Sequence, residues 1–532
     1  MKWKILPKKS DDLIEQLLIN RAITKQKQEQ FLNPKILDYK KDLEITGVAK
    51  VQKRIFKAIE TNELIIVYGD YDVDGVCASA ILYKGLTSLG AKVLPYIPHR
   101  EKEGYGLSRI GLEFAKRSGA SLIITVDLGI VAFEQAKFAK SIDLDLIITD
   151  HHLPQDNLPD AFAIVHSVKM CGAAVAWCLI KDIIKKDLSL ELLQFVAIAT
   201  VCDLMPLIGL NRAFVFEGLK LLNRTTNLGL LSLINQSAIS LGQIGSFEIG
   251  YMLGPRLNAM GRLEHAIDSL RLLCTRDPLK AQRLAKLLCE TNTERQQMTT
   301  KAIEQARNLI DSRKNIHVLA SSEWNQGIIG LIAGRITEQY HRPTIAISQG
   351  ATISKGSARS IDGINIVELI RKHTDILIDI GGHPGAAGFS IESKYIESFR
   401  KRLENHMIDL TEVEKVLQID AAVHTRKLSK KLVTDLQKFE PFGFGNPRPV
   451  FVSKDIQVSD SRTISQGKHL KFKVVDPERS EGPIDAIAFG MGDLVNILQN
   501  SQLIDIAYNL ELDSYNGFEK LQLKVKDIIL RD

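Results

Sequence analysis

The sequence has no closely spaced cysteine pairs. Its six cysteines, Cys77, Cys171, Cys178, Cys202, Cys274 and Cys289, form no CxxC and no metal-finger spacing. They sit mostly in apolar stretches, which points to reduced, buried thiols rather than a disulfide or zinc framework. No run reaches the roughly 18 apolar residues of a membrane span, and Met1–Lys9 has no apolar core of the signal-peptide kind. Cytoplasm is therefore the expected location, with no membrane partner. Charge of one sign is not in large excess either: 69 basic against 63 acidic side chains give a formal +6. That balance permits a nucleic-acid partner without requiring one.

What is present is a plan used three times. An apolar run that reads as a buried strand is followed at once by acids or histidines. Leu64–Gly69 precedes Asp70, Asp72 and Asp74; Ile123–Val126 precedes Asp127; Leu146–Thr149 precedes Asp150, His151 and His152. In an open parallel α/β sheet, ligands bind beyond the carboxyl ends of the strands, so these polar tips should converge on one cleft. Five aspartates gathered there would repel one another and raise each other's pKa unless cations neutralise them. Carboxylate and imidazole donors without thiolate suit Mn²⁺ or Mg²⁺ and, less well, Zn²⁺ or Fe²⁺. Two ions about 3.5–4 Å apart form the usual clamp for in-line displacement at phosphorus, so phosphoester hydrolysis is the expected chemistry.

Simpler readings exist for each piece. Asp70–Asp74 could be a solvated acidic turn or a calcium loop. An EF-hand does not fit, because Ile81 stands where the bidentate Glu should close the loop and an apolar run, not a helix, precedes it. Alternate residues cannot all face one ion, so one of the three acids is expected to stand behind the others. Asp127 alone would pass for a helix cap, and its position after a strand is what gives it weight. Consecutive His151 and His152 at a strand end suggest one ligand and one phosphate or supporting contact. Asp203, inside the apolar run Val201–Leu207, is a carboxylate that needs a partner if buried.

A chain of 532 residues should hold about three or four domains. Residues 1–45 read as a helical lead-in packed on the next domain, and 46–265 as a parallel-sheet α/β core. Helical stretches at Gly111–Ser118 and Val131–Ala139 supply its crossovers. The segment 266–312 has almost no glycine and reads as an extended connecting helix. A second, mixed α/β domain spans 313–410, and 411–532 reads as a small antiparallel domain with the length of a five-stranded OB-like β-barrel. Strands are expected there at Lys454–Val458, His469–Val474, Ile484–Phe489 and Leu521–Val525. In the second domain, Gly356–Ser360 and Gly381–Gly388 crowd glycines in a way that lets backbone N–H groups approach a phosphate.

The acidic sets Asp70–Gly75, Val126-Asp127, Asp150-His151-His152 and Cys202-Asp203, in this order, resemble the four motifs of the DHH phosphoesterase superfamily. The second domain, with Gly381-Gly382-His383, resembles the associated DHHA1 domain. Glu103–Leu107, Gly254–Arg262, Gln326–Gly330, Gly356–Ser360, Pro441–Asn446 and His469–Lys471 narrow the resemblance to that superfamily's single-stranded-DNA-specific exonucleases, over most of residues 50–530. The resemblance implies a hydrolase dependent on two Mn²⁺ or Mg²⁺ ions that digests single-stranded DNA from the 5′ end to mononucleotides in recombination and repair. It implies metal ligands at Asp70, Asp72, Asp74, Asp127, His151 and Asp203, with Asp127 bridging and His152 beside the scissile phosphate. It implies that Ser357, Arg359, Gly382 and His383 engage the strand end or scissile phosphate, and that Arg256, Asn258 and Arg262 line the DNA path. A single-stranded-DNA-binding protein and a RecQ-type helicase fit as partners of such an enzyme.

The C-terminal domain would then hold DNA upstream, with Lys468, His469, Lys471 and Lys473 meeting phosphates. Phe442 and Phe444 read as loop-packing residues before they read as base-stacking ones. Three residues depart from the family pattern: Leu128 after Asp127, Asn325 where histidine is usual, and His166 where an Asn-Pro pair is expected. None is a proposed ligand. Rival readings are a superfamily member acting on short oligonucleotides, cyclic dinucleotides or pyrophosphate, and a DNA-binding scaffold without metals. The terminal β domain and the Arg256–Arg262 stretch argue against the first, and the full set of acids against the second. An alanyl-tRNA editing protein would not join a DHHA1 domain to this acidic core.

Overall fold

The computed structural model describes residues 1–404, 415–477, 479, 481–500, 503–513 and 519–531. The chain divides into two compact units, one of Lys41–Asp203 with Glu217–Glu414 and one of Met1–Lys40, Leu204–Phe216 and Lys415–Asp532. Among the described residues no helix is long and apolar enough to cross a membrane.

The first sheet of the larger unit has strands β1 (Leu64–Gly69), β2 (Lys92–Tyr96), β3 (Ala120–Val126), β4 (Asp145–Asp150) and β5 (Ala163–His166). They lie in the order β2-β1-β3-β4-β5 and every neighbouring pair is parallel. Ile65, Ile66 and Val67 of β1 and Leu122, Ile123 and Ile124 of β3 are fully buried, as strands covered by helices on both faces require. Successive crossovers from β1 go to opposite sides of the sheet, so the chain order reverses between β1 and β3. The carboxyl ends of those two strands therefore open the crevice that such sheets use for ligands.

The expected connecting helix is two helices, Ile267–Cys274 and Pro278–Asn308. Asp277 caps the second by accepting from the N–H groups of Leu279 and Lys280, and Pro278 at its first turn has no N–H to continue the first. The second sheet follows: β6 (His317–Ser321), β7 (Thr344–Ser348), β8 (Ile353–Arg359), β9 (Leu377–His383) and β10 (Ala386–Glu392). Its order is β9-β10-β8-β7-β6, with only the β6–β7 pair parallel.

The smaller unit carries β11 (Phe451–Ile464), β12 (His469–Val475), β13 (Ile484–Ala488), β14 (Leu503–Asp513) and β15 (Lys520–Arg531). They run β11-β12-β13-β15-β14, and β14 pairs back to β11 to close a ring, as expected of an OB-like domain. Strand Lys2–Ile5 pairs in parallel with Val416–Ile419, and the Trp3 indole donates to Asp527 at 2.8 Å. Arg212 is buried at the centre of this unit. Its guanidinium donates to the carbonyls of Phe31, Phe439, Glu440 and Pro441 at 2.7–3.2 Å and lies 4.1 Å over the Phe31 ring. The stretch Pro441–Asn446 thus has a structural use, and Phe442 packs on the hydrophobic core beside it.

Candidate metal centre

Asp70 follows β1, and Asp72 caps the helix Val73–Ser88, its Oδ1 accepting from Gly75 N–H at 3.0 Å. Asp74 lies in the first turn of that helix. Both of its oxygens accept backbone N–H groups at the start of helix Gly172–Ile180: Gly172 at 2.6 Å and Ala173 at 2.7 Å. Of the three acids it is the one most committed to holding protein backbone. The turn is braced from behind, where Asn258 Oδ1 accepts from Val73 N–H at 3.2 Å and Gly261 lies so close that a Cβ would stand 2.4 Å from the Tyr71 carbonyl.

Asp127 follows β3 with a left-handed backbone (φ +63°), which is uncommon for a residue other than glycine but tolerated by aspartate. Its N–H donates to the Thr149 carbonyl at 3.0 Å, while its Oδ1 is buried with no hydrogen-bond donor. His151 reaches in from the end of β4. Its Nε2 is 3.0 Å from Asp127 Oδ1, 3.5 Å from Asp74 Oδ2 and 3.6 Å from Asp203 Oδ2.

Three overlapping sets of side chains place ligand atoms within 4.8 Å of one another: Asp70 with Asp72 and Asp127, Asp127 with His151 and His152, and Asp74 with His151 and Asp203. Asp127 and His151 each belong to two sets. Burial, then the neighbouring carboxylates, push Asp70 and Asp127 well above the ordinary carboxylate range and Asp203 to about 8. Burial also lowers His151. A buried oxygen without a donor, acids that resist ionisation and an imidazole kept neutral are what a cation-binding pocket shows when considered without its cation, and the oxygen and nitrogen donors fit a hard divalent ion.

Asp150 is not part of these sets. Its Oδ1 accepts from the N–H groups of His151 and His152 and, at 2.7 Å, from His152 Nδ1; its Oδ2 accepts from Ile130 N–H. Burial alone would depress the His152 imidazolium, but the bond to Asp150 outweighs it and raises the pKa to about 9. His152 Nε2 is then free of Asp150 and 3.3 Å from the Tyr105 hydroxyl.

Beside the acids lies a cluster of guanidiniums. Arg262 donates to the Gly327 carbonyl at 3.2 Å, and burial, then the proximity of Arg100, Arg295 and Arg359, lowers its pKa to about 10. Arg100 lies 5.1 Å over the Tyr71 ring, and Arg359, at the end of β8, donates to Ser357 Oγ at 3.2 Å. Guanidiniums that influence one another in this way favour an anion in their midst.

Three protein families match successive parts of the chain: the DHH family N-terminal domain over residues 64–200, the DHHA1 domain over 313–409 and the RecJ OB domain over 419–527. The single-stranded-DNA-specific exonuclease RecJ of Bacillus subtilis (strain 168) is 35% identical over 535 residues, which cover 97% of this chain and 67% of that protein. Its counterpart in Haemophilus influenzae is 30% identical over 521 residues, covering 91% and 90%. The chain belongs to the RecJ family. The crystal structure of RecJ in complex with Mn²⁺ from Thermus thermophilus superimposes with a TM-score of 0.85 at 26% identity, covering all of this chain and 80% of that one. The Mg²⁺ complex of the same protein gives a TM-score of 0.79.

The RecJ-type residues expected from sequence fall into four places. Asp70, Asp72, Asp74, Asp127, His151, His152 and Asp203 come together. Arg262, Ser357 and Arg359 form the cationic side of the same unit, while Arg256 donates to the Met252 carbonyl in the turn just before its own helix. Gly382 and His383 stand exposed in the β9–β10 hairpin, with His383 Nδ1 accepting from Gly385 N–H, and His383 belongs to none of the three ligand sets. Lys468, His469 and Lys471 lie on β12 and its approach in the smaller unit; Lys473 there is 3.3 Å from Asp460.

Arg100, Arg295, Tyr105 and the orienting role of Asp150 were not among the expected site residues. Tyr105 sits within the family-like Glu103–Leu107 stretch and Arg100 just before it, so a signal existed; Arg295 is one cation among many on a long helix and had none. The departures have structural uses: Leu128 is buried core, Asn325 Oδ1 accepts from Gly327 N–H at 2.6 Å, and His166 Nε2 donates to the His152 carbonyl at 2.7 Å.

Proposed function

We propose that this chain is a metal-dependent exonuclease that hydrolyses single-stranded DNA from its 5′ end to mononucleotides, as membership of the RecJ family and the named activity of its relatives suggest. The observation that carries the reading is the meeting of Asp70, Asp72, Asp127, His151 and Asp203 with Arg262 and Arg359 alongside. We assign Asp70, Asp72, Asp74, Asp127, His151 and Asp203 as the residues that would hold the cations, Asp127 being the carboxylate common to two ligand sets. Bound there, Mn²⁺ or Mg²⁺ supplies an acidified water and neutralises charge at phosphorus.

The remaining work falls to the chain. His152, kept charged by Asp150, presents its Nε2–H to a phosphate oxygen as charge develops. The guanidiniums of Arg100, Arg262 and Arg359 grip a terminal phosphate, whose second negative charge distinguishes it from an internal diester and so favours a phosphorylated 5′ end. His383 and Gly382 would approach the strand from their exposed hairpin. Lys468, His469 and Lys471 of the smaller unit would hold the strand upstream. An enzyme of this kind needs a source of single strands, so we place it in the cytoplasm, in recombination and repair, with a RecQ-type helicase and a single-stranded-DNA-binding protein as partners.

The test is release of mononucleotides from a long single strand labelled at either end, with Mn²⁺, Mg²⁺ or EDTA, beside its duplex and an Asp127→Ala variant. Metal-dependent loss of the 5′ label from the single strand alone, abolished in the variant, is expected. Survival of long strands with cleavage of dinucleotides would overturn the reading.

A further inference from the structure

Between β2 and the helix Arg109–Arg117 the chain from Ile97 to Ser108 has no regular secondary structure. Surface stretches of this kind are ordinarily mobile, yet this one is wound around a single carboxylate. Glu103 Oε1 accepts from His99 N–H at 2.9 Å, and its Oε2 accepts from the hydroxyls of Tyr96 and Ser108, both at 2.8 Å. The two ends of the loop are therefore pinned to its middle: Tyr96 closes β2, and Ser108 caps the helix, its Oγ accepting from Gly111 N–H at 3.0 Å. Gly104 and Gly106, with left-handed backbones (φ +82° and +89°), let the chain turn back toward Ser108.

What Glu103 binds is itself fixed. The Tyr96 ring lies between those of Tyr68 and Phe114, its centroid 5.0 Å from each. Tyr68 is fully buried, and its hydroxyl accepts from Ser108 N–H at 3.2 Å and donates to the Gly106 carbonyl at 3.3 Å. A Cβ on Gly111 would stand 2.4 Å from the Tyr68 ring, so helix and sheet hold that ring without slack. Arg100 follows His99, the residue whose N–H Glu103 takes. Its guanidinium lies over the Tyr71 ring and close enough to Arg262 and Arg359 to disfavour their charge. Glu103, three residues on, would be an ordinary ion-pair partner for Arg100, but both of its oxygens are occupied within the loop. It fixes the backbone beside the cation without cancelling the charge.

We propose that Glu103 is a positioning residue for the 5′ end: by closing the His99–Ser108 loop it sets the Arg100 guanidinium where the terminal phosphate of a strand binds, an inference that rests on the exonuclease reading above. Glu103 itself touches no substrate. Like charge drives Arg100 away from Arg262 and Arg359, and a fixed backbone resists this before the phosphate arrives. A cation held ready in this way binds without the entropy loss of ordering a loop.

The experiment compares single-turnover hydrolysis, in Mn²⁺, of strands with a 5′-phosphate and with a 5′-hydroxyl. The full chain is used as wild type, Glu103→Ala, Glu103→Gln, Arg100→Ala and the double variant of Glu103→Ala with Arg100→Ala. Misplacement by about 1 Å can cost on the order of 10²-fold, so Glu103→Ala should lower the ratio of phosphate to hydroxyl rates by roughly 10-fold or more. Glu103→Gln should stay close to wild type, because its Oε1 can accept from His99 N–H while its two N–H groups donate to the hydroxyl oxygens of Tyr96 and Ser108. In the Arg100→Ala background Glu103→Ala should leave the ratio unchanged, since the two residues act as one. Equal losses on both ends, additive losses of the ratio in the double variant, or a Glu103→Gln as impaired as Glu103→Ala overturn the proposal. Should Glu103→Ala fail to fold, Tyr96→Phe removes one donor and keeps the ring; it should lower the same ratio, and an unchanged ratio overturns the proposal. A wild type that cuts both ends alike removes the reading of the terminal phosphate and this proposal with it, and one that cuts no single strand removes the exonuclease reading. A wild type that discriminates while Glu103→Ala does so equally well overturns the proposal alone.

Discussion

Gly172 and Asp127 touch with no space to spare: a Cβ on Gly172 would stand 2.6 Å from Asp127 Cβ and 2.7 Å from its Oδ1. The N–H of the same glycine donates to Asp74 Oδ2 at 2.6 Å. One residue thus sets the distance between two of the acids. Gly172→Ala should displace Asp127 while leaving the helix intact, since alanine is the better helix former. Displacing a residue that orients a metal ligand typically costs about 10–100-fold in metal affinity or activity, and that loss is expected here. Titration of hydrolysis with Mn²⁺ measures it, and an unchanged midpoint and rate would show that the contact does not position Asp127.

Burial, then the like charge of Arg100, makes the Arg359 guanidinium costly to keep in the cationic cluster without an anion. A lysine cannot reproduce the two parallel donors of a guanidinium. Arg359→Lys should therefore lose rate on strands with a 5′-phosphate while changing little on strands with a 5′-hydroxyl. A hydrogen bond to a charged group contributes about 1.5–3 kcal/mol, roughly 10–100-fold, which bounds the effect. Single-turnover rates on the two kinds of end supply the ratio, and a ratio equal to that of the wild type would remove Arg359 from end recognition.

The acids were legible in the sequence because the signal is local. A fully apolar run followed at once by a carboxylate can be read without knowing the fold, and the order β2-β1-β3-β4-β5 then brings adjacent strand ends together. The cations were less legible. Arg295 is one basic residue on a 31-residue helix, and only the packing of that helix gives it Arg262 as a neighbour. Asp150 was visible as one of the acids at the strand ends, but nothing in the string Asp150-His151-His152 says that its oxygens are taken by backbone N–H groups and an imidazole. β14 could have been read as well, because Ile504, Ile506, Tyr508 and Leu510 alternate into the core with Asp505, Ala507 and Asn509 between them. The end of helix Ile267–Cys274 was marked by Asp277-Pro278, a cap followed by proline, and could have been read.

In the smaller unit, Lys468 and Lys471 border β12 while Lys473 is held by Asp460. For single strands each phosphate contact contributes about 0.7 to the slope of log affinity against log salt concentration. Lys468→Ala and Lys471→Ala should each reduce that slope by about this amount, and Lys473→Ala by less. Binding measured from low to high salt checks it. Equal slopes for all three variants would mean that β12 does not follow the strand.

The edge of the first sheet opposite the acids predicts an acid-stability change. Glu63, just before β1, accepts from Arg54 Nη2 and Ser121 Oγ at 2.6 Å and from Thr61 Oγ1 at 2.7 Å, and Arg54 also donates to Asp145 at the start of β4. The group ties together the amino ends of three strands. Burial alone would raise the Glu63 carboxyl, but these donors hold it at about 2, below the 4.5 of an unfolded chain. The folded state therefore favours the carboxylate. Its contribution is fully present above about pH 4.5 and is lost as the pH falls from there toward 2. Glu63→Gln keeps the shape and removes the charge, so it should be less stable at pH 7 by on the order of 1–3 kcal/mol. The gap between variant and wild type should narrow as the pH is lowered through 4 to 3, because the wild type then loses what the variant never had. Urea denaturation of both proteins across that range measures the gap, and a difference that stays constant would mean that Glu63 titrates alike in the folded and unfolded chain.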